Sequence, residues 1–367
     1  MRDCKRQTLD TYLNIIYNIP DIKNMASITK IITNSLNGLN PRQKEVITAR
    51  FGLDGKTDGE TLAAIGDRLD VTRERVRQIE NGAITLVKAN IAKNPETGVA
   101  LEKVKKFIAA RGGVSGKSDV VRYAATLASG VRENHLDFLA EASGVFNLHR
   151  EDDAFEPFYY VTDKDLRTAS AFVNGWVGFL KSHKEKVFAD SYQIQLASFL
   201  KTKPVAQEIA ENYLSIAKQI DKNPYGDMGL SEWPEINPAT VRDKIYLVLK
   251  KKAEPLHFED IATHINKVGF DDQKALAPTV HNELIKDSRF VLVGRGMYGL
   301  KEHGYEPGTA REVITKVLKT KGPLKATDVV THVNQQRFFK QNTILINLQN
   351  RNFFERMNDG RYRVRES

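Results

Sequence analysis

Apolar and polar positions separate onto two faces of a helix that begins near residue 72. On a helical wheel Val76, Ile79, Ala83 and Leu86 share one arc with Thr72. Arg73, Glu74, Arg77 and Gln78 occupy the other side, spread over roughly 140°. Residues 61–80 therefore predict two short helices around a turn, with one side of the second in the core. Upstream, Leu9, Tyr12, Leu13, Ile15, Ile16 and Tyr17 give residues 1–36 the pattern of a helical leader. The stretch 94–98 breaks the helical pattern near residue 93. Beyond it, Leu101/Val104/Phe107/Ile108, Val120/Val121/Tyr123 and Leu136/Phe138/Leu139 predict three helices. Strand-like runs at 144–149 and 158–161 then flank an acidic turn, so residues 99–162 read as a degenerate winged helix. Residues 163–222 read as helical throughout, with Phe172, Trp176, Phe179 and Leu180 in the core. The proline-punctuated stretch 223–238 reads as an extended, docked linker, because a residue before proline is pushed out of the α region.

The remainder repeats itself. Val248-Leu249-Lys250 corresponds to Val317-Leu318-Lys319, and Pro255-Leu256 to Pro323-Leu324. The run Asp260-Ile261-Ala262-Thr263-His264-Ile265-Asn266 corresponds to Asp328-Val329-Val330-Thr331-His332-Val333-Asn334. Thr279, Val280, Leu284, Phe290, Gly296 and Tyr298 correspond to Thr343, Ile344, Leu348, Phe354, Gly360 and Tyr362. The offset steps from 69 to 68 to 64, which places the length differences in loops. Each copy predicts three helices and a hairpin, the pattern of a winged helix, over 239–304 and 305–367. Gly294-Arg295-Gly296 and Asn358-Asp359-Gly360 supply the hairpin turns, and Thr309 with Glu312 predicts a capping box.

The exposed Arg, Glu and Gln of the 72–80 helix suit the hydrogen-bond pattern of base edges in a major groove. The plainer reading of such a face is a solvated surface with i,i+4 pairs. A longer pattern favours DNA. Leu39-Asn40-Pro41-Arg42-Gln43-Lys44-Glu45-Val46-Ile47, Arg50-Phe51-Gly52-Leu53, Thr61-Leu62, Ile65-Gly66 and Val71-Thr72-Arg73-Glu74-Arg75-Val76-Arg77-Gln78-Ile79-Glu80 resemble region 4 of bacterial primary sigma factors. The resemblance covers about 55 residues within 37–93. It implies a helix-turn-helix that reads promoter DNA and docks on RNA polymerase. By position it makes Arg73, Glu74, Arg77 and Gln78 base-reading candidates, with Thr72 at the start of the helix and Arg75 as a phosphate contact. Ala63 and Ala64 depart from the family, which usually carries acidic residues there.

The first repeat copy resembles the HARE-HTH domain, a winged helix also seen in the delta subunit of some bacterial RNA polymerases. Pro255-Leu256-His257-Phe258, residues 279–285 and residues 289–300 carry that resemblance. It implies a link to DNA or polymerase. The acidic tail of the delta subunit has no counterpart in Arg361-Tyr-Arg-Val-Arg-Glu-Ser. On the third helix of this copy Val280 and Leu284 point to the core, while Thr279, Asn282, Glu283 and Lys286 share the opposite arc. Thr279, Asn282, Lys286 and the wing-tip Arg295 are DNA-contact candidates here, and Thr343, Asn347 and Arg361 in the second copy. Either set has the plainer reading of solvated surface.

Composition narrows the classes. The 367 residues include 41% hydrophobic residues, enough for several packed cores. A net charge of +9 favours polyanionic partners. The single cysteine, Cys4, excludes an internal disulfide framework and fits a reducing cytoplasm. No apolar run is long enough to span a membrane, and the amino-terminal stretch lacks a small-residue cleavage site. Gly112-Gly-Val-Ser-Gly-Lys-Ser118 falls short of a phosphate loop, which needs glycine where Arg111 stands. His264 and His332 are equivalent positions on amphipathic helices and read as structural. No zinc-ligand spacing, paired carboxylates or serine elbow occurs.

The expectation is a mainly α, multi-domain array of helix-turn-helix and winged-helix modules with small β-hairpin wings. It is a cytoplasmic, non-enzymatic transcription regulator that needs no cofactor or metal. Its partners are double-stranded DNA and RNA polymerase core, with no membrane and no small-molecule substrate. Two alternatives are a delta-like polymerase accessory subunit acting by protein contact, and an enzyme using the middle region.

Overall fold

Local signals set the first elements. In this computed structural model, which describes residues 27–55, 59–185, 191–305, 308–335 and 339–365, helix α1 spans Ile28–Ser35. The leader pattern at residues 9–17, and Cys4, lie outside the described residues. Helix α2 (Pro41–Phe51) starts on a reciprocal cap between Asn40 and Gln43, carries Pro41 at its first position, and stops at Gly52 in the left-handed conformation. Helix α3 (Leu62–Leu69) is capped by Thr61, and α4 (Arg73–Lys93) by Thr72, whose hydroxyl accepts from the Arg75 amide. The turn between them is tight. A Cβ at Gly66 would sit 2.7 Å from the Val71 carbonyl oxygen, so only glycine lets the two helices approach.

The described chain divides into two units, with the boundary between Ile220 and Asp221. In the first, α4 is long enough to serve two cores. Its first turns close the helix-turn-helix on Val46, Ala49, Ile65 and Val76. Its second half, with Ala83, Val87 and Ile91, joins Ile47 and Phe51 in a larger core shared with α1 and residues 101–159. Those residues form α5 (Pro95–Ala110), β1 (Val114–Gly116), α6 (Lys117–Leu127), α7 (Glu133–Ser143), β2 (Asn147–His149) and β3 (Phe158–Tyr160). The sheet order is β1-β3-β2, all antiparallel, which is winged-helix topology. The helical break after residue 93 is a single residue: Asn94 ends α4 and caps α5, with Pro95 at its first position.

Helix α7 holds the third-helix position of this winged helix, and it is spent on packing. Leu136, Phe138, Leu139, Ala140 and Ala142 are all buried. Phe138 meets Phe51 of α2 edge-on at 5.4 Å, and the Asn134 side chain donates to the Gly52 carbonyl at 2.8 Å. Beyond β3, α8 (Asp163–Ser182), α9 (Tyr192–Leu200) and α10 (Gln207–Ser215) complete the unit. Trp176 is fully buried and donates to the Tyr192 hydroxyl. Phe179 is half-buried, stacked on His183, rather than deep in the core.

The linker expectation at 223–238 is corrected by a hairpin, β4 (Ile220–Lys222) with β5 (Met228–Leu230). The Asn223 side-chain oxygen accepts from the Tyr225 and Asp227 amides, so the Asn-Pro-Tyr-Gly run is a turn and not an extended strap.

In the second unit two modules follow, each with its own core. The first has α11 (Val241–Lys252), β6 (Leu256–His257), α12 (Phe258–Val268), α13 (Ala277–Lys286), β7 (Phe290–Gly294) and β8 (Met297–Leu300), in sheet order β6-β8-β7. The second has α14 (Ala310–Lys321), β9 (Leu324–Lys325), α15 (Ala326–Asn334), α16 (Gln341–Leu348), β10 (Phe354–Arg356) and β11 (Arg361–Val364), in order β10-β11-β9. Both begin on capping boxes, Thr240 with Asp243 and Thr309 with Glu312. The three winged helices thus share one topology, with the last strand in the middle of each sheet.

Candidate DNA interface

The helix-turn-helix is braced by arginines that do not read anything. Arg50 donates to Glu80 at 3.2 Å and to the Glu60 carbonyl at 3.0 Å. Arg42 donates to the Leu69 carbonyl at 2.6 Å. Arg68 bridges Glu45 and Glu60 at 2.6 and 3.2 Å. Glu80 is 7% exposed, so its pairing with Arg50 fixes α2 against the middle of α4 in a poorly hydrated site.

What remains outside is the first turn and a half of α4. Thr72, Arg73, Glu74, Arg75, Arg77 and Gln78 are all exposed. Two pairs order them. Arg77 makes a two-pronged contact with Glu74, at 2.9 Å from Nε and 2.7 Å from Nη2. Arg75 donates to the Gln78 side chain at 3.2 Å. The hydrogen bond from Arg77 holds the Glu74 carboxyl below its ordinary pKa, and Glu74 raises Arg77 in return. Both stay charged at neutral pH. The Arg77 fork is thereby tied to Glu74, which limits its rotamer freedom. Amides of the first turn not used by the Thr72 cap are available to a phosphate. One expectation fails here. Leu86, placed on the core arc, is 44% exposed, because past Ala83 the buried side of α4 turns toward α1 and α7 through Val87 and Ile91.

The helix-turn-helix matches known proteins. Residues 35–89 match the family model "Sigma-70, region 4". Residues 239–303 match the HARE-HTH family model, whose description includes the restriction endonuclease HTH domain. The chain is 55% identical over 53 residues to the RNA polymerase sigma factor RpoD of Helicobacter pylori, covering 14% of this chain and 8% of that protein. It is 49% identical over 57 residues to the RNA polymerase sigma-B factor of a Nostoc species, covering 16% and 17%. It is 45% identical over 58 residues to RpoD of Neisseria gonorrhoeae, covering 16% and 9%. The chain spans less than a fifth of the length of these relatives.

The other candidate residues sit on their own modules. In the HARE-HTH module Thr279, Asn282 and Lys286 lie on the exposed side of α13, and Arg295 is exposed in the β7–β8 turn. Lys286 is not available as a bare cation, since it pairs with Glu283 at 3.1 Å. Glu283 is half-buried and accepts from both Nε and Nη2 of Arg242, at 3.1 and 2.8 Å. It is a tertiary anchor, not a surface group. In the last module Thr343 is exposed, Asn347 turns its amide back to the Thr343 carbonyl at 2.8 Å, and Arg361 pairs with Asp359 at 2.7 Å.

The middle winged helix presents no comparable surface. Its third helix is buried, its wing carries Glu151, Asp152 and Asp153, and residues 99–162 hold eight Lys and Arg against nine Asp and Glu. The phosphate-loop-like stretch inside it is closed as well. Asn212 of α10 donates to the Arg111 and Val114 carbonyls at 2.8 Å, and the Tyr213 hydroxyl to the Gly112 carbonyl. A Cβ at Gly112, where φ is +83°, would lie 2.4 Å from Ile209. Lys117 is held by Asp137 at 2.7 Å. Among the described residues no group of three or more His, Cys, Asp or Glu could hold a metal, and no helix is long and apolar enough to cross a membrane.

Proposed function

We propose that this chain is a non-enzymatic transcription regulator that docks the start of α4 in the major groove of promoter DNA and acts with RNA polymerase in the cytoplasm. The observation that carries the reading is the exposed row Thr72, Arg73, Glu74, Arg75, Arg77 and Gln78, pre-ordered by the Glu74–Arg77 and Arg75–Gln78 pairs, on a segment matching sigma-70 region 4. Base edges select the site through Arg73, Glu74, Arg77 and Gln78. Arg75 and the amides at the start of α4 take phosphates, and Arg295 and Arg361 add wing contacts that orient the complex. Selection of bound sequences from a random duplex pool, repeated with and without polymerase core, tests this. A recovered consensus that disappears in Arg77→Ala supports it; no enrichment in either arm refutes it.

A second reading, a delta-like accessory subunit acting by protein contact, is favoured by the HARE-HTH match and by the acid-paired cations of that module. Co-purification with core that survives loss of DNA binding would favour it.

A further inference from the structure

The two modules of the second unit differ most where the first helix faces the end of the third. In the HARE-HTH module both arginines there meet an acid, and Lys250 donates to the Tyr246 hydroxyl at 3.2 Å. Arg242 is tied to Glu283. Arg289 pairs with Asp287 at 2.7 Å and lies 5.0 Å over the Tyr246 ring, whose hydroxyl donates to Glu302. The repeat carries these positions onto the last module. Arg311 replaces Arg242 and Lys319 replaces Lys250, but Asn347 replaces Glu283, Arg351 replaces Asp287 and Phe353 replaces Arg289.

Two acids, Glu283 and Asp287, have no counterpart, while the cations at the Arg242 and Lys250 positions stay. Arg311, Thr315, Lys316, Lys319, Thr320 and Phe353 line a surface groove along α14. Glu312, the acid within it, is taken up by the Thr309 cap at 2.7 Å. Arg311, Lys319 and Arg351 make no ion pair among the described residues. Phe353 is 37% exposed, and the Arg311 guanidinium lies 4.3 Å from its ring centroid. Residues 305–367 hold twelve Lys and Arg against six Asp and Glu, where 239–304 hold eleven against nine.

We infer that this groove binds single-stranded nucleic acid. Arg311 and Lys319, which pair with no acid among the described residues, suit a phosphate backbone, and an exposed ring beside a guanidinium offers a stacking platform for a base. Duplex bases hide their faces, so the aromatic part of the groove has a partner only in an unpaired strand. The groove residues are distinct from Thr343 and Arg361, the duplex candidates of the same module.

The test uses the full chain, a fluorescein-labelled oligothymidylate and a labelled random duplex, read by anisotropy at matched salt. Phe353→Ala should weaken oligothymidylate binding about tenfold, the scale of one lost base stack, and leave the duplex unchanged. Phe353→Leu keeps apolar volume without a π-face and should behave as Phe353→Ala does. Lys319→Glu should flatten the salt dependence on the single strand, since roughly one contact is worth ~0.7 in the log–log slope. Wild-type single-strand affinity in both Phe353 variants overturns the inference. So does equal loss on single strand and duplex, which would make the groove part of a duplex footprint.

Discussion

Phe138→Ala tests whether the helix-turn-helix and the middle winged helix are one cooperative body. The ring is fully buried and packs edge-on against Phe51 of α2, at 5.4 Å and 66°. Truncation removes a whole aromatic side chain from the shared core of α2, α4, α5 and α7, at a cost of about 3–5 kcal/mol. For a unit of this size that corresponds to a fall of roughly 6–20 °C in Tm, at about 2–4 °C per kcal/mol. The ring pair itself accounts for about 0.5–1.5 kcal/mol, which a cycle with Phe51→Ala isolates. Hydrogen exchange supplies the decisive readout. The slow amides of α4 around Ala83 and Val87 should lose protection in parallel with those of α7, because both line one core. DNA binding should be lost at the same denaturant midpoint as α7 protection. A loss under about 1 kcal/mol, or α4 amides that keep wild-type protection while those of α7 lose it, would refute the shared core.

Arg77→Ala and Gln78→Ala should each remove about 1–3 kcal/mol of discrimination between specific and random duplex, while Arg75→Ala weakens both alike; equal losses for all three would contradict the assignment. Duplex binding that neutralises about five phosphates should show a log–log salt slope near −4 to −5, and a flat dependence would exclude a phosphate-driven interface. Replacing Arg361 and Arg363 together by Glu should lower random-duplex affinity more than Arg295→Glu does, because the last module carries the larger excess of cations. His135 adds a pH dependence. Burial, with Arg132 nearby, lowers its pKa from 6.5, and its Nδ1 accepts from the Arg132 amide at 3.2 Å. The unfolded chain therefore takes the proton first, and stability should fall as pH drops below 6.5. In His135→Asn denaturation midpoints should be flatter across that window; an unchanged slope would remove His135 as the cause.

Much of this molecule was legible along the chain because the signals are local. Asn40-Pro41 with Gln43, Thr61, Thr72 and Gly66 place the helix-turn-helix through caps and one close approach that no other residue permits. The charged and apolar sides of residues 72–79 follow from helical period alone, and the internal repeat by itself marks paired modules. Tertiary structure decided what each surface can be used for. Periodicity gives α7 an apolar side, but only packing against α2 and α4 turns it from a reading helix into a buried strut. The same period puts Leu86 inward, and the partner helices leave it outside. Glu283 shares an arc with Asn282 and Lys286, yet Arg242, 41 residues earlier, makes it an anchor. The loss of that acid at Asn347, and of Asp287 at Arg351, was visible in the repeat. Its meaning was not, because charge balance is settled between helices that meet only in the folded state.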